Sequence, residues 1–238
     1  MRLAGKSVLV TGGARGLGRA FAEAAIADGA EVLIADVLPA VHDTARAIGA
    51  RGFTVDLASA RSIEELATAI HKLDGLVNNA AITNSGGRTL EELDIDTWDR
   101  VMDVNVRGTW LMTKACLPLL RRSRGKVVNV ASDTALWGAP RLLAYISSKG
   151  AVIAMTRGMA RELGPDGITV NAIAPGLTEV EATEYVPAER HRHYLEGRAL
   201  ARAQQPGDAC GAVTFLLSDA AAFLTGQVLP VNGGFVMN

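Results

Sequence analysis

The sequence predicts an α/β fold: a doubly wound sheet of about seven mostly parallel strands with helices on both faces. Two observations predict this fold. Short β-branched segments alternate with longer helical segments along all 238 residues, and no linker, repeat or low-complexity tract interrupts the alternation. Parallel strands need a crossover between them, usually a helix, so the alternation favours parallel pairing. We therefore expect one domain spanning residues 1–238.

Individual elements follow from composition and from breakers. Strands are predicted at Ser7–Thr11, Glu31–Asp36, Gly52–Val55, Leu76–Asn78, Lys126–Ala131, Thr169–Ala174 and Gln227–Val231. Helices are predicted at Gly16–Asp28, at Asp96–Leu117 with Pro118 near its end, and at Tyr145–Leu163 before Gly164-Pro165. The segment Leu177–Ala201 is rich in Glu, Arg and His and has a poor pattern. We expect it to be a mobile insertion after the sixth strand that acts as a substrate lid.

Composition excludes several classes of protein. The chain has 24 basic and 25 acidic residues, so its charge gives no reason to expect nucleic acid or an anionic membrane as a partner. No apolar segment precedes the first motif, and none is long enough to span a membrane. Cys116 and Cys210 have no neighbours at metal-ligand spacing. We expect a cytoplasmic protein without a metal.

A glycine-rich turn follows the first strand and opens the first helix. It reads Thr11-Gly12-Gly13-Ala14-Arg15-Gly16-Leu17-Gly18. Glycines let the backbone approach a pyrophosphate closely, and the helix directs N–H groups and positive dipole at it. The turn predicts a dinucleotide site with Gly12, Arg15, Gly16, Leu17 and Gly18 in contact. The alternative is a turn that binds nothing.

The second strand ends in Asp36, about 20 residues beyond the turn. A carboxylate there can accept hydrogen bonds from the adenosine ribose of NAD and would repel the 2′-phosphate of NADP. Arg15 could instead hold that phosphate, but no Arg or Lys follows Asp36 before Arg46. The predicted cofactor is NAD.

Two later strand ends add weaker signals. Asp56 and Leu57 follow the third strand, where a carboxylate could accept from the adenine amino group. Asn79, Ala80 and Ala81 follow the fourth, where small residues leave room for a ribose. An ordinary strand-end turn explains either segment nearly as well.

A catalytic group is predicted at the fifth strand and the helix that follows. Tyr145 and Lys149 are four residues apart, so their side chains share one helix face, and Ser132 ends the strand at the same edge of the sheet. A nearby ammonium and the positive nicotinamide ring both favour the phenolate of a tyrosine. Tyr145 would then exchange a proton with an alcohol or carbonyl, and Ser132 would hydrogen-bond the reacting oxygen. Lys149 could also reach the nicotinamide ribose. A Tyr-x-x-x-Lys pair on its own would be an ordinary helix face.

Taken in order, these motifs resemble the short-chain dehydrogenase/reductase family, whose fold is Rossmann-type. The resemblance covers essentially the whole chain, to Thr225-Gly226-Gln227-Val228-Leu229-Pro230-Val231-Asn232-Gly233-Gly234. It implies that Asn105 is the catalytic asparagine, which holds a water in a proton relay to the lysine. It also implies that Pro175, Gly176, Leu177 and Thr178 bind the nicotinamide carboxamide, and that the chain forms a homotetramer. Two positions depart from the pattern, Ala81 where Gly often stands and Asn232 where Asp often stands.

The sequence does not name the substrate, a small-molecule alcohol or ketone. Leu136, Trp137 and Leu142 could line an apolar pocket, or equally be core or subunit contacts. The Arg190–His193 cluster could grip an anion, although a solvated helix face is the alternative we favour. Three functions stay open: an NAD-linked oxidoreductase of secondary alcohols or ketones, which we favour, an NADPH-dependent 3-oxoacyl-type reductase, and an NAD(H) sensor without turnover.

Overall fold

Seven parallel strands form the central sheet in the order β3-β2-β1-β4-β5-β6-β7, in a computed structural model that describes residues 1–237. This arrangement confirms the predicted fold class. The strands are β1 Ser7–Thr11, β2 Glu31–Asp36, β3 Arg51–Thr54, β4 Gly75–Asn78, β5 Lys126–Val130, β6 Thr169–Pro175 and β7 Val228–Val231. Each begins and ends within one residue of its predicted bounds. Every residue of β1, β4, β5 and β6 is buried, as their apolar composition requires in a sheet covered on both faces.

Helices cover both faces of this sheet. They are α1 Gly16–Ala27, α2 Val41–Ile48, α3 Ala60–Ala69, α4 Ile95–Met102, α5 Thr109–Ser123, α6 Thr134–Trp137, α7 Leu143–Leu163, α8 Ala188–Gly197 and α9 Gly207–Leu217. One core cluster joins α1, α2 and α9 to the sheet through residues such as Phe21 and Val213. The other joins α3, α5 and α7 to it through residues such as Ile63 and Met112. Apolar side chains alternate between these two layers along the strands, which fixes the sheet between the helices.

The helix predicted over Asp96–Leu117 is present as an unbroken helical run from Ile95 to Ser123, but it is not α-helical throughout. A π-helical segment, Asp103–Gly108, separates α4 from α5. Gly108, the last residue of this segment, packs closely against the loop after β3, where a Cβ would stand 2.9 Å from the backbone oxygen of Leu57. Pro118 lies inside α5 rather than near its end, because Leu119 and Leu120 continue the buried face as far as Ser123.

The segment 177–201 contains more regular structure than its composition predicted. It forms a 3₁₀ turn at Glu181–Thr183 and the helix α8. Tyr194 anchors α8, since its side chain is only 2% exposed although the rest of the helix is polar. Among the helices of residues 1–237, none combines the length and the apolar composition needed to cross a membrane.

Candidate active site

The glycine turn after β1 closes only because glycines occupy it. A Cβ on Gly12 would stand 2.8 Å from the Cα of Ala80, and one on Gly18 would stand 2.0 Å from the carbonyl oxygen of Gly12. Gly12 and Gly16 also adopt φ angles of +68° and +58°. α1 begins at Gly16 without a side-chain cap, so its first N–H groups are available to an anion. This backbone fits the pyrophosphate of a dinucleotide.

Asp36 lies beside that turn. Its Oδ2 accepts a hydrogen bond of 3.0 Å from the backbone N–H of Ala14, and its Oδ1 accepts one of 3.0 Å from Leu38. The carboxylate is half-buried and each oxygen retains a free lone pair. Arg15 is exposed and pairs with no carboxylate within residues 1–237. A carboxylate and a cation that forms no ion pair within residues 1–237 are thus found at the glycine turn and at the end of the strand beside it.

Thr11 and Asn79 brace the turn against the end of β4. The Thr11 Oγ1 accepts from the backbone N–H groups of Asn79 at 3.0 Å and Ala80 at 3.1 Å. The Asn79 amide donates to the carbonyl oxygens of Thr11 at 2.9 Å and Gly12 at 3.2 Å. Asn79 therefore holds the turn with its side chain. The bracing role of Thr11 was not predicted, although it is a hydroxyl residue directly before the glycines. Ala80 and Ala81 are half-buried beside it.

Asp56 and Leu57 follow β3. Asp56 is exposed, and its Oδ1 accepts from the backbone N–H of Ala58 at 2.9 Å. Leu57 is buried against Gly108. The contact of Asp56 is that of a strand-end turn, and its other oxygen faces solvent at the same edge as Asp36.

Ser132, Tyr145 and Lys149 come together where β5 ends and α7 begins. The Lys149 Nζ donates to the carbonyl oxygen of Val130 at 2.7 Å and lies 5.7 Å from the centre of the Tyr145 ring. Ser132 is buried, and its Oγ accepts from the hydroxyl of Thr134 at 2.8 Å. Lys149 is 3% exposed and uses one of its three donors within residues 1–237. Its other two donors are available to a ribose.

Burial dominates the pKa values of this group. It raises the pKa of Tyr145 above its ordinary value, and the Ser132 hydroxyl acts in the opposite direction. Burial also lowers the pKa of Lys149 to about 8. From the sequence we expected the Lys149 ammonium to lower the pKa of Tyr145. In the structure the desolvation of the phenol outweighs any such effect, because the charged form of a buried phenol loses its water.

Asn105 lies in the π-helical segment and is 1% exposed. Its Oδ1 accepts from the backbone N–H of Ile82 at 2.7 Å, and its Nδ2 donates to Ile82 O at 3.1 Å and to the Ser148 Oγ at 3.0 Å. Ser148 in turn donates to the carbonyl oxygen of Tyr145 at 2.7 Å. Asn105 thus joins the loop after β4 to the first turn of the helix that carries Tyr145 and Lys149.

The loop Pro175–Thr178 leaves β6 next to Ser132. Asp133, which follows Ser132, donates from its backbone N–H to the carbonyl oxygen of Pro175 at 3.0 Å. Gly176 donates to Val231 O at 3.1 Å, and the Thr178 hydroxyl donates back to Gly176 O at 3.0 Å. The loop is therefore fixed at the same sheet edge as the glycine turn and the group formed by Ser132, Tyr145 and Lys149.

Trp137 packs against two residues of the Arg190–His193 cluster, Arg190 and His193. The ring of Trp137 contacts the rings of His193 and Phe235, with ring centres 5.6 Å apart in each case. Trp137 belongs to the segment after Ser132, and it therefore packs that segment against other parts of the protein. Arg190 donates to the carbonyl oxygen of Pro140 at 2.9 Å and lies over the Trp137 ring. Arg190, one cation of the cluster, thus already binds other groups of the protein.

Sequence reasoning missed a second group of side chains behind Ser132, namely Asp133, Tyr194 and Arg198, all buried. A carboxylate directly after a buried strand was the available signal, because a buried acid needs a partner. The identity of that partner was not visible in the sequence, since Tyr194 lies 61 residues away.

Comparisons with known proteins agree with this geometry. A family model described as Enoyl-(Acyl carrier protein) reductase matches residues 12–236. The chain is 37% identical to 2-(S)-hydroxypropyl-CoM dehydrogenase 3 of Xanthobacter autotrophicus, over 98% of this chain and 97% of that protein. It is 36% identical to a 3-alpha-(or 20-beta)-hydroxysteroid dehydrogenase of Mycobacterium tuberculosis, over 99% and 91%. It is 34% identical to the 3-oxoacyl-[acyl-carrier-protein] reductase FabG of Aquifex aeolicus, over 98% of each.

A solved structure from Beutenbergia cavernae, assigned as an NAD(P)-dependent gluconate 5-dehydrogenase and holding NADP at low occupancy, superposes with a TM-score of 0.91. Its sequence is 34% identical, and the match covers 98% of this chain and 97% of that one. The family match spans nearly the whole chain and includes both the glycine turn and the Ser132, Tyr145 and Lys149 group. The chain therefore belongs to the short-chain dehydrogenase/reductase family of NAD(P)-dependent oxidoreductases.

Proposed function

We propose that this protein is an NAD-dependent oxidoreductase that transfers a hydride between the nicotinamide and a secondary alcohol or ketone. The observation that carries the proposal is the placement of the Tyr145 phenol between buried Ser132 and buried Lys149, at the sheet edge that holds the glycine turn. The nicotinamide, when bound, supplies the hydride acceptor or donor. The protein must supply the group that exchanges the proton and must orient the substrate.

Each of the three side chains then has one task. The Ser132 hydroxyl binds the reacting oxygen of the substrate. Tyr145 accepts the hydroxyl proton in oxidation and donates it in reduction. Lys149 holds the nicotinamide ribose with the donors that Val130 leaves free, and its charge favours the phenolate. Asn105 holds the water of a proton relay to Lys149, from a position that its contacts with Ile82 and Ser148 fix.

The cofactor would lie along the carboxyl edge of the sheet. Its pyrophosphate would contact Gly12, Arg15, Gly16, Leu17 and Gly18. Asp36 would bind the adenosine ribose, and Asp56 and Leu57 would contact the adenine. The nicotinamide-side ribose would lie against Asn79, Ala80 and Ala81. Pro175, Gly176, Leu177 and Thr178 would hold the carboxamide. The fixed carboxylate of Asp36 supports NAD over NADP, because a second anion there would be repelled.

The relatives support a secondary alcohol or ketone as substrate. Hydroxypropyl, hydroxysteroid and butanediol groups stand in the names of three of them. The alternative is an NADPH-dependent reductase of 3-oxoacyl thioesters, which the FabG relatives and the exposed Arg15 favour. The segment 177–201, which carries α8, would act as the substrate lid in either case.

A cofactor-resolved substrate panel tests the proposal. The purified protein is mixed with secondary alcohols plus NAD or NADP, and with ketones or a 3-oxoacyl thioester plus NADH or NADPH, and the nicotinamide absorbance is followed. We expect turnover of a secondary alcohol or ketone with a preference for NAD(H). Turnover of the thioester alone with NADPH would establish the alternative. Tight NADH binding without turnover of any compound would point to a sensor and contradict the proposal.

We also propose that the chain forms a homotetramer. α7 carries a stripe of small residues, Gly150, Ala154 and Gly158, and a Cβ at either glycine would meet open space. Trp110 on α5 is 46% exposed. A helix with apolar or small residues outside its sheet-facing side requires further cover. Light scattering on the purified protein tests this, and Gly158→Arg should shift the mass toward a smaller assembly.

A further inference from the structure

The carboxylate of Asp133 lies behind Ser132 in a fully buried position. Its Oδ1 accepts a hydrogen bond of 2.7 Å from the Tyr194 hydroxyl, which itself accepts one of 3.3 Å from the Trp137 indole N–H. This chain of donors points toward Asp133 and stabilises its charged form. Its Oδ2 is buried and has no hydrogen-bond partner within residues 1–237. The carboxylate is therefore only partly compensated by its direct contacts.

The guanidinium of Arg198 is buried nearby, at 6% exposure, just beyond α8. It donates to four acceptors, all of them uncharged: the backbone oxygens of Asn232 at 3.1 Å, Arg202 at 3.2 Å and Leu177 at 2.6 Å, and the Gln204 Oε1 at 3.3 Å. No carboxylate of residues 1–237 forms an ion pair with it within 4.0 Å. A buried cation held by neutral oxygens needs an anion nearby to offset its desolvation.

Gly176 lies beside both charges. A Cβ on Gly176 would stand 3.0 Å from the Asp133 Oδ2 and 3.0 Å from the Arg198 Nη2. A side chain at this position would press against both charged groups, so the glycine lets the loop Pro175–Thr178 lie close to the anion and the cation. Both groups also bind that loop through its backbone, Asp133 by its N–H to Pro175 and Arg198 by its Nη2 to Leu177.

We propose that Asp133 and Arg198 are positioning residues, a buried pair of opposite charges that holds the loop Pro175–Thr178 against catalytic Ser132. Tyr194 links the pair to α8, so the fold of segment 177–201 depends on the same contacts. The inference rests on the proposed function of that loop in binding the nicotinamide. Neither charge touches the reacting atoms, and both act by fixing two backbone segments, the one that carries Ser132 and the loop that would hold the carboxamide.

The two charges are coupled because both are buried and each favours the charged form of the other. Removing Arg198 leaves the buried Asp133 anion without this opposite charge, and removing Asp133 does the same to the cation. Removing both side chains leaves no buried charge without its partner. Burial already raises the pKa of Asp133 to about 6, while the side chains of Tyr194 and Asn232 and then the charge of Arg198 oppose the rise. Tyr145 on α7 is the other titratable side chain near this carboxyl.

A double-mutant cycle tests the coupling. Asp133→Asn, Arg198→Met and the double variant are compared with wild type for NADH affinity by fluorescence, for kcat and KM, and for melting temperature. We expect each single variant to weaken NADH binding by roughly tenfold or more, and the double variant to be less impaired than the two losses combined. Additive losses, or NADH binding equal to wild type in both single variants, would overturn the proposal. Arg122→Met changes an exposed cation of α5 and should leave all values unchanged.

The pH profile distinguishes positioning by charge from a merely structural role. In the reductive direction we expect wild-type kcat/KM to fall below about pH 6, as Asp133 becomes protonated. Loss of the cation raises the pKa of a neighbouring carboxyl. The acid limb of the pH profile, where kcat/KM falls, should therefore move toward neutral pH in Arg198→Met and stay near its wild-type position in Arg198→Lys. Asp133→Asn should lack the limb, whereas His193→Gln should keep it. The same acid limb in all variants would refute the role of the pair.

These readouts keep the inference separate from the proposed function. If wild type binds NADH but turns over no substrate, the proposed function fails, and the NADH cycle still tests the pair. If wild type is active and the single variants bind NADH and respond to pH as wild type does, the inference alone fails. Should Arg198→Met not fold, Arg198→Lys and Asp133→Asn supply the same comparison with less change in volume.

Discussion

Lys149 ties α7 to the strand beside it, because its Nζ donates to the carbonyl oxygen of Val130 at 2.7 Å. The same atom lies 5.7 Å from the centre of the Tyr145 ring. One ammonium thus fixes the register of α7 against β5 and sets the electrostatic surroundings of the phenol. Burial shifts the pKa of each group toward its uncharged form, upward for Tyr145 and downward for Lys149.

Replacing Tyr145 with Phe should abolish turnover and leave NADH binding nearly intact. The ring still packs, but the group that exchanges the proton is gone, and a positioned acid or base is typically worth about 10²–10⁴-fold. Steady-state rates with one alcohol and NADH fluorescence titration measure the two effects. A rate within about threefold of wild type would refute the role of Tyr145.

The strands were predictable because their buried β-branched runs leave few alternatives, and the glycine turn because its spacing is tied to the strand and helix around it. The π-helical segment was not predictable. It depends on the contacts of Asn105 with Ile82, which lies 23 residues away, while the local apolar pattern continues through it. The burial of Tyr194 in a polar helix likewise depends on Asp133, 61 residues away. Long-range partners of single polar side chains leave no local periodicity.

Replacing Asp36 with Ser should shift the cofactor preference toward NADP. The change removes the ribose acceptor and the repulsive charge, while Arg15 stays to meet a 2′-phosphate. We expect the ratio of kcat/KM for NAD to that for NADP to fall by roughly tenfold or more. Asp43→Ser removes an exposed carboxylate of α2 that pairs with Arg46, and should leave the ratio unchanged. A wild-type preference for NADP would show that Asp36 has been misinterpreted.

Thr11→Val should loosen the cofactor turn without changing the shape of the side chain. The Thr11 hydroxyl accepts from the backbone N–H groups of Asn79 and Ala80, and both would lose that partner. An unsatisfied buried donor costs about 1–3 kcal/mol, so we expect a loss of that order in the free energy of unfolding, with weaker NADH binding. Thr11→Ser keeps the hydroxyl and should stay within about 1 kcal/mol of wild type. A Thr11→Val variant as stable as wild type would show that the hydroxyl does not brace the turn.

The pH dependence of stability should reveal the buried Lys149. Burial lowers its pKa to about 8, below the ordinary value of 10.5. Between these values the unfolded chain binds the proton and the folded chain has released it, so stability rises with pH. Tyr145 acts in the opposite sense, because its pKa is raised, but only near and above the ordinary tyrosine value of about 10. The informative window is therefore about pH 8 to 9.5.

Lys149→Met keeps the stem and removes the charge, and so isolates this contribution. The free energy of unfolding of wild type minus that of the variant should increase by about 1–2 kcal/mol from pH 8 to pH 9.5, since one proton difference is worth about 1.4 kcal/mol per pH unit. Subtraction cancels the other groups that titrate in this range, including Cys116 and Cys210, whose pKa values burial raises. Urea unfolding without cofactor at four pH values supplies the measurement. A difference that stays constant with pH would show that the Lys149 ammonium is not desolvated in the folded protein. The position of Lys149 beside Tyr145 would then need another explanation.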